Sequence, residues 1–223
     1  MARNTRVVNL CFHGIGDPKR PLENGEHVYW ISADFFRTVL DTVHGRPDVR
    51  ISFDDGNASD VEIGLPELRK RDLTATFFLL AGRMDEEGSV DRAGARALRD
   101  AGMRIGSHGW HHRSWRRMDP ATSHRELVEA KALLAEAVGR PVDQAACPLG
   151  EYDRSSLTGL RKAGYTNVFS SDRRHARPGS WLQPRFSVRG SDTEESIREI
   201  LAPARPDAKS LARAAYQTTK RWR

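Results

Sequence analysis

The sequence predicts an α/β domain in which parallel strands close, or nearly close, into a barrel with helices outside. Three observations predict it. Short apolar runs alternate with amphipathic stretches about seven times, the order that builds parallel strands through helical crossovers. A length of 223 residues suits such a barrel better than an open sheet. Residues of ligand type follow the apolar runs at one shared edge, where parallel α/β folds gather their chemistry.

The elements follow in order. "VVNLCF" (7–12) reads as a strand and leads to His13. Ser32 is placed to cap a helix "ADFFRTVLDTVHG" that stops at a glycine. "VRISF" (49–53) is the next strand and ends at two adjacent carboxylates, Asp54 and Asp55. A helix opens near Asp60 and runs towards "LPELRKRD"; "TATFFLL" (74–80) is a third strand. "DRAGARALRDAG" is a helix with a glycine stop, followed by the short strand "MRIGS" and then His108 and His112. "DPATSHRELVEAKALLAEAVG" is the longest helical pattern, with Leu127, Leu133, Leu134 and Val138 near one face. "QAACP" is strand-like, "DRSSLTGLRKAG" helical, and "TNVFSS" a strand leading to Asp172. A strand "FSVRG" and a helix "TEESIREILA" complete a domain spanning 1–203. A basic tail, 204–223, carries Arg205, Lys209, Arg213, Lys220, Arg221 and Arg223.

The bulk properties narrow the class. The chain is long enough to bury a core without covalent staples. A mean hydropathy of -0.62 fits a charged surface. The net charge of +6 permits anionic partners without requiring them. Cys11 and Cys147 form no spaced framework and read as buried free thiols in a reducing compartment. The first thirty residues hold no apolar run of signal-peptide length, and the longest fully apolar run, Phe77 to Ala81, is far too short to span a bilayer. A cytoplasmic protein that neither enters membranes nor binds nucleic acid is the expectation.

Asp54 and Asp55 pose the chemical question. Adjacent carboxylates repel unless solvent, a proton or a cation intervenes. An exposed Asp-Gly turn is the plain alternative. "SHGWHH" (107–112) adds His108 and His112, four apart, which on a helical turn share a face and can grip one ion. Two imidazoles and one carboxylate leave coordination positions open, as a catalytic metal site requires.

"SFDDG", then "HGWHH" some fifty residues on, then "CPLGEYD" and "LQPRFSV" together resemble the polysaccharide deacetylase family, also called carbohydrate esterase family 4 or the NodB homology domain. The resemblance runs in order from about residue 7 to 201. It implies a distorted (β/α)7 barrel, a divalent metal (zinc, or else cobalt or nickel) and hydrolysis of N-acetyl groups on amino sugars. Carried over by motif, Asp55, His108 and His112 are metal ligands and Asp54 is the general base. Leu149, after Pro148, is the matching backbone donor for the oxyanion, and Gly56 and Gly150 permit close backbone approach. The substrate expected is an N-acetylated sugar.

The pattern also departs from the family. Ala146 stands where most members carry an arginine, which resembles a branch whose third motif reads roughly "YPFGxYD". The family's leucine–histidine pair near the C-terminus is missing, and no histidine follows His175. His13 is the candidate general acid, by resemblance to an N-terminal histidine of the branch acting on poly-N-acetylglucosamine; His175 is the fallback. Arg185 matches an arginine of that branch and is expected to orient Asp54, with Asp172 pairing with it or with His13. Trp110, Trp115, Tyr152 and Trp181 are candidate sugar-stacking walls, Trp110 the best placed, with packing the ordinary alternative.

Other functions remain open at this point. Relatives on the same fold hydrolyse other amides, such as cyclic imides or ureides. A non-catalytic carbohydrate-binding relative would keep the pocket. An iron-dependent oxygenase also uses two histidines and a carboxylate, but as a close His-x-Asp pair, which the order here lacks.

Overall fold

The computed structural model describes residues 6–203; the basic tail lies outside the described residues. Eight parallel strands form the main sheet: β1 (Val8–Phe12), β4 (Val49–Asp55), β5 (Ala75–Leu79), β6 (Arg104–Ser107), β7 (Gln144–Ala146), β8 (Asn167–Ser170), β9 (Leu182–Pro184) and β10 (Phe186–Ser187). A small parallel pair, β2 (Gly14–Ile15) and β3 (Trp30–Ile31), stands beside it. The sheet order is β10-β1-β4-β5-β6-β7-β8-β9. Its two ends are one stretch of chain, because only Arg185 separates β9 from β10. β9 pairs with β8 and β10 with β1, so this segment closes the sheet into a nearly complete barrel.

Alternation along the strands divides core from interior. Leu10 and Phe12 of β1, Ile51 and Phe53 of β4 and Phe77 of β5 join the main apolar cluster, together with Phe36 and Leu40 of helix α1 (Ala33–Val43). Phe53 and Phe77 stack at 4.5 Å, and Phe12 meets Phe36 edge-on at 5.0 Å. Each such ring, fully buried, contributes roughly 1.5–3 kcal/mol of burial free energy. The intervening residues form a polar interior layer: Asn9 donates to Gln183 and to the Pro184 carbonyl, and Arg185 donates to Ser52.

The remaining helices are α2 (Leu65–Arg69), α3 (Arg92–Asp100), α4 (Pro120–His124), α5 (Ala130–Val138), α6 (Arg154–Lys162) and α7 (Glu194–Leu201). The expected Ser32 cap is present, with Oγ accepting from the Phe35 N–H. Asp91, Asp119, Asp153 and Thr193 cap α3, α4, α6 and α7 in the same way. The longest predicted helix is interrupted. A π-helical turn, Arg125–Glu129, lies between α4 and α5, and such turns are frequent at functional sites. "QAACP" does not stay extended to its end; Pro148–Gly150 forms a 3-10 turn with Leu149 at φ 57°.

Candidate metal centre

Alternation alone would send Asp54 and Asp55 to opposite faces of β4. Asp55 instead adopts a left-handed φ of 76°, a conformation uncommon outside glycine and easiest for Asp and Asn. The turn ends the alternation, and both carboxylates reach His108 Nε2, at 3.9 Å from Asp54 and 3.5 Å from Asp55. Gly56 follows with φ 67°, where a Cβ would sit 3.0 Å from Leu79 Cδ2.

His108 and His112 are not on a helix, contrary to the expectation from their spacing. They lie in an irregular loop after β6. Gly109 turns this loop at φ 87°, where any Cβ would strike the Glu126 carboxylate. That buried carboxylate, carried by the π-helical turn, accepts from the backbone N–H groups of Trp110 (2.9 Å) and His111 (3.2 Å). So anchored, the loop brings the two imidazole rings to 5.5 Å, tilted 29°.

Each imidazole has a fixed proton. His108 Nδ1 faces the Ala146 carbonyl at 2.9 Å, and a carbonyl only accepts, so Nδ1 is the donor. Burial pulls the His108 pKa down to about 4 against Asp54 and Asp55, so the ring is neutral near pH 7 and Nε2 holds a lone pair. His112 Nδ1 faces Glu23 Oε2 at 2.6 Å, and its Nε2 lies 3.6 Å from Asp55 Oδ1.

Asp55 is 2% exposed, and neither carboxylate oxygen has a hydrogen-bond partner. Burial pushes its carboxyl up, but electrostatic attraction to His112, His13 and His108 outweighs this and holds it below the ordinary range. A buried and unbonded carboxylate facing the Nε2 atoms of two imidazoles is costly alone and suited to a divalent cation. Ligand atoms of Asp55, His108 and His112 all lie within 4.8 Å of one another. This donor set fits the metal that the sequence resemblance implies.

Asp54 sits differently. Arg185, fully buried, donates Nη1 to Oδ1 and Nη2 to Oδ2, both at 2.6 Å. Burial raises the Asp54 carboxyl, but the Arg185 charge, then His108, and the Arg185 hydrogen bonds hold it well below the usual range. His13, partly buried, lies on the same side; ligand-type atoms of Cys11, His13 and Asp54 fall within 4.8 Å of one another. The His13 ring stacks on Tyr29 at 4.7 Å, and its Nδ1 is buried without a partner.

Other expected site residues fall into two groups. Pro148, Leu149 and Gly150 form the turn after β7, with the Leu149 side chain 60% exposed. Asp172, after β8, accepts at Oδ2 from Ser170 (2.7 Å) and Tyr152 (3.0 Å); the partner of Arg185 is Asp54. Tyr152, expected to offer a ring face, is fully buried and offers none. Trp115 is buried too, Trp181 lies under Arg161 at 4.1 Å, and half-buried Trp110 carries Arg125 over its ring at 4.6 Å. His175 is at the wrong end. Its neighbour Ala176 pairs with Val7, ahead of β1, and its Nε2 faces the Ile200 carbonyl at 2.8 Å.

Sequence reasoning missed Glu23, Glu126 and Asp60. Asp60 is fully buried with both oxygens unpartnered; burial, then Asp55 and Asp54, push its carboxyl well above the usual range. The FDDG motif drew attention to two carboxylates, and a third, five residues beyond Asp55, carried no signal of its own.

A parallel β/α barrel with a carboxylate–bis-imidazole cluster at the carboxyl ends of its strands defines a barrel protein with a candidate metal centre. The chain belongs to the polysaccharide deacetylase family, whose model matches residues 42–168. It is 23% identical over 172 residues to a Bacillus subtilis (strain 168) protein named "Putative polysaccharide deacetylase YxkH", covering 70% of this chain and 61% of that one. It is 30% identical over 125 residues to YheN of the same organism, covering 54% of this chain and 43% of that one. The chain thus spans roughly half the length of these curated relatives. Among solved structures, the Streptococcus pyogenes deacetylase PplD, in complex with acetate, superposes with a TM-score of 0.77 at 17% identity, covering 90% of this chain and 100% of that one. A de-N-acetylase from Aggregatibacter actinomycetemcomitans gives 0.74 at 15% identity, covering 87% and 99%. At these identities the structural likenesses speak for the fold.

Proposed function

We propose that the protein is a metal-dependent hydrolase that removes the N-acetyl group from an N-acetylated amino sugar or glycoconjugate. One observation carries the reading: the buried, unbonded Asp55 carboxylate facing Nε2 of His108 and of His112, with Asp54 beside it. Asp55, His108 and His112 would hold the cation, zinc being favoured by the nitrogen donors. When bound, it supplies Lewis acidity and brings a water's pKa from about 15.7 towards about 7.

The chain's own residues supply the proton transfers. Asp54 accepts the proton of the attacking water at a carboxylate oxygen. Arg185 fixes that carboxylate with two bonds and, by depressing its pKa, keeps it ionised at working pH. In this reading His13, whose ring stacks on Tyr29, returns a proton to the departing nitrogen. The Leu149 N–H is the assigned donor to the developing oxyanion, in a turn where residues 149 and 150 are both left-handed. Cys11 and Cys147 are buried and no disulfide joins them among the described residues, which supports a reducing compartment such as the cytoplasm.

The test is acetate release from N-acetylglucosamine oligomers and a broad panel of N-acetylated sugars. Chelator treatment is expected to abolish it and zinc or cobalt to restore it. No acetate from any of these sugars would leave the amide class to be found elsewhere.

A further inference from the structure

The segment between β2 and β3, residues 16–29, straps across the site and is pinned in several places. Arg20 donates from Nε (3.1 Å) and Nη2 (2.8 Å) to Asn57 Oδ1, two residues past Asp55. The same guanidinium pairs with buried Glu26, whose Oε2 accepts the Glu23 N–H at 2.8 Å. Lys19 presses on Gly88, where a Cβ would lie 2.6 Å from the Lys19 carbonyl oxygen. Glu23 is therefore held by its backbone before its side chain makes any contact. Its carboxylate then divides: Oε1 pairs with Arg83, after β5, and Oε2 accepts from His112 Nδ1 at 2.6 Å.

We infer that Glu23 is a positioning residue for the metal centre, through which the strap sets the cation affinity. The inference rests on the metal reading proposed above. The two imidazoles differ in what backs them. His108 leans on a neutral backbone carbonyl, whereas His112 leans on a carboxylate reached from 89 residues away. A carboxylate acceptor makes the stronger bond, fixes Nδ1 as the protonated nitrogen and raises the donor strength of Nε2. Glu26, Arg20 and Arg83 hold Glu23 in place for that purpose, so the loop holding the third ligand and the strap form one unit.

The test is binding of zinc or cobalt alone to the full chain, read by competition with a chromophoric chelator. Glu23→Gln is expected to weaken the affinity about 10–100-fold, and Glu23→Asp to recover part of the loss. A double-mutant cycle separates positioning from folding: in the His112→Ala background, Glu23→Gln should change affinity less than about threefold. Equal losses in both backgrounds, or no loss in the parent, would overturn the inference even for a destabilised variant. A parent that binds neither metal would instead bring down the metal reading and this inference with it.

Discussion

Asp54 and Asp55 are chemical neighbours with opposite surroundings, and the difference predicts how each fails. Asp54 has both oxygens on Arg185, whereas Asp55 has neither oxygen bonded. Asp54→Asn is expected to keep metal binding and lose turnover, read by chelator competition beside the acetate assay. Loss of the metal instead would mean that the two roles are exchanged. His13→Ala should lower kcat by about 10²–10⁴-fold, the usual worth of a general acid; an unchanged rate would move the acid to another group. The motif residues were legible because each follows an apolar run. Glu23 was not, because its partner His112 lies 89 residues away, nor was Glu126, whose partners lie in the His loop 15 and 16 residues before it, beyond the reach of any local pattern.

At the scale of elements, α2 is held by its charges as well as its apolar face. Glu67 takes Lys70 (2.8 Å), Arg71 (2.7 Å) and, from α1, Arg37 (3.2 Å). Hydrogen bonds from Lys70 and Arg71 lead in bringing its pKa down to about 2. A carboxylate depressed on folding stabilises the fold above its unfolded pKa of about 4.3 and ceases to as pH falls through about 2. Glu67→Gln should therefore flatten the acid side of the stability curve between about pH 4.3 and 2, seen by urea melts across that range. Helix starts were legible through their caps, as at Ser32. The π-helical turn was not, since its apolar spacing matches an ordinary helix; what distinguishes it is Glu126 turned inward to the His loop. The four-residue spacing of His108 and His112 misled for a related reason. Gly109 breaks the helical path, and the rings converge through a loop.

At the scale of the whole molecule, Arg185 serves the barrel and the site together. It stands between β9 and β10 where the sheet meets itself, and its charge is buried against Asp54. Removing one member of a buried pair leaves the other uncompensated, at a cost of about 3–5 kcal/mol. Arg185→Ala is expected to lose stability on that scale by urea denaturation. It should also speed amide exchange in both β1 and β8, the strands on either side of the seam. A loss under about 1 kcal/mol would show the seam to be held by its backbone pairing alone. The barrel class itself was legible from the alternation of runs. The near-closure was expected too, but the strand that begins the closing segment was not, because a three-residue strand containing a proline, Leu182–Pro184, does not read as one.

The position of that seam has a consequence for the order of events during synthesis. Leu10 must wait for Phe186 and Asp54 for Arg185, a separation of 131 residues in the second case. Since chains are made from the amino end and distant pairings form late, a nascent chain displays its acidic doublet long before the guanidinium that subdues it exists. Competence for chemistry then arrives as the last staves are fitted, and a ribosome stalled before codon 182 would present an open half-cask.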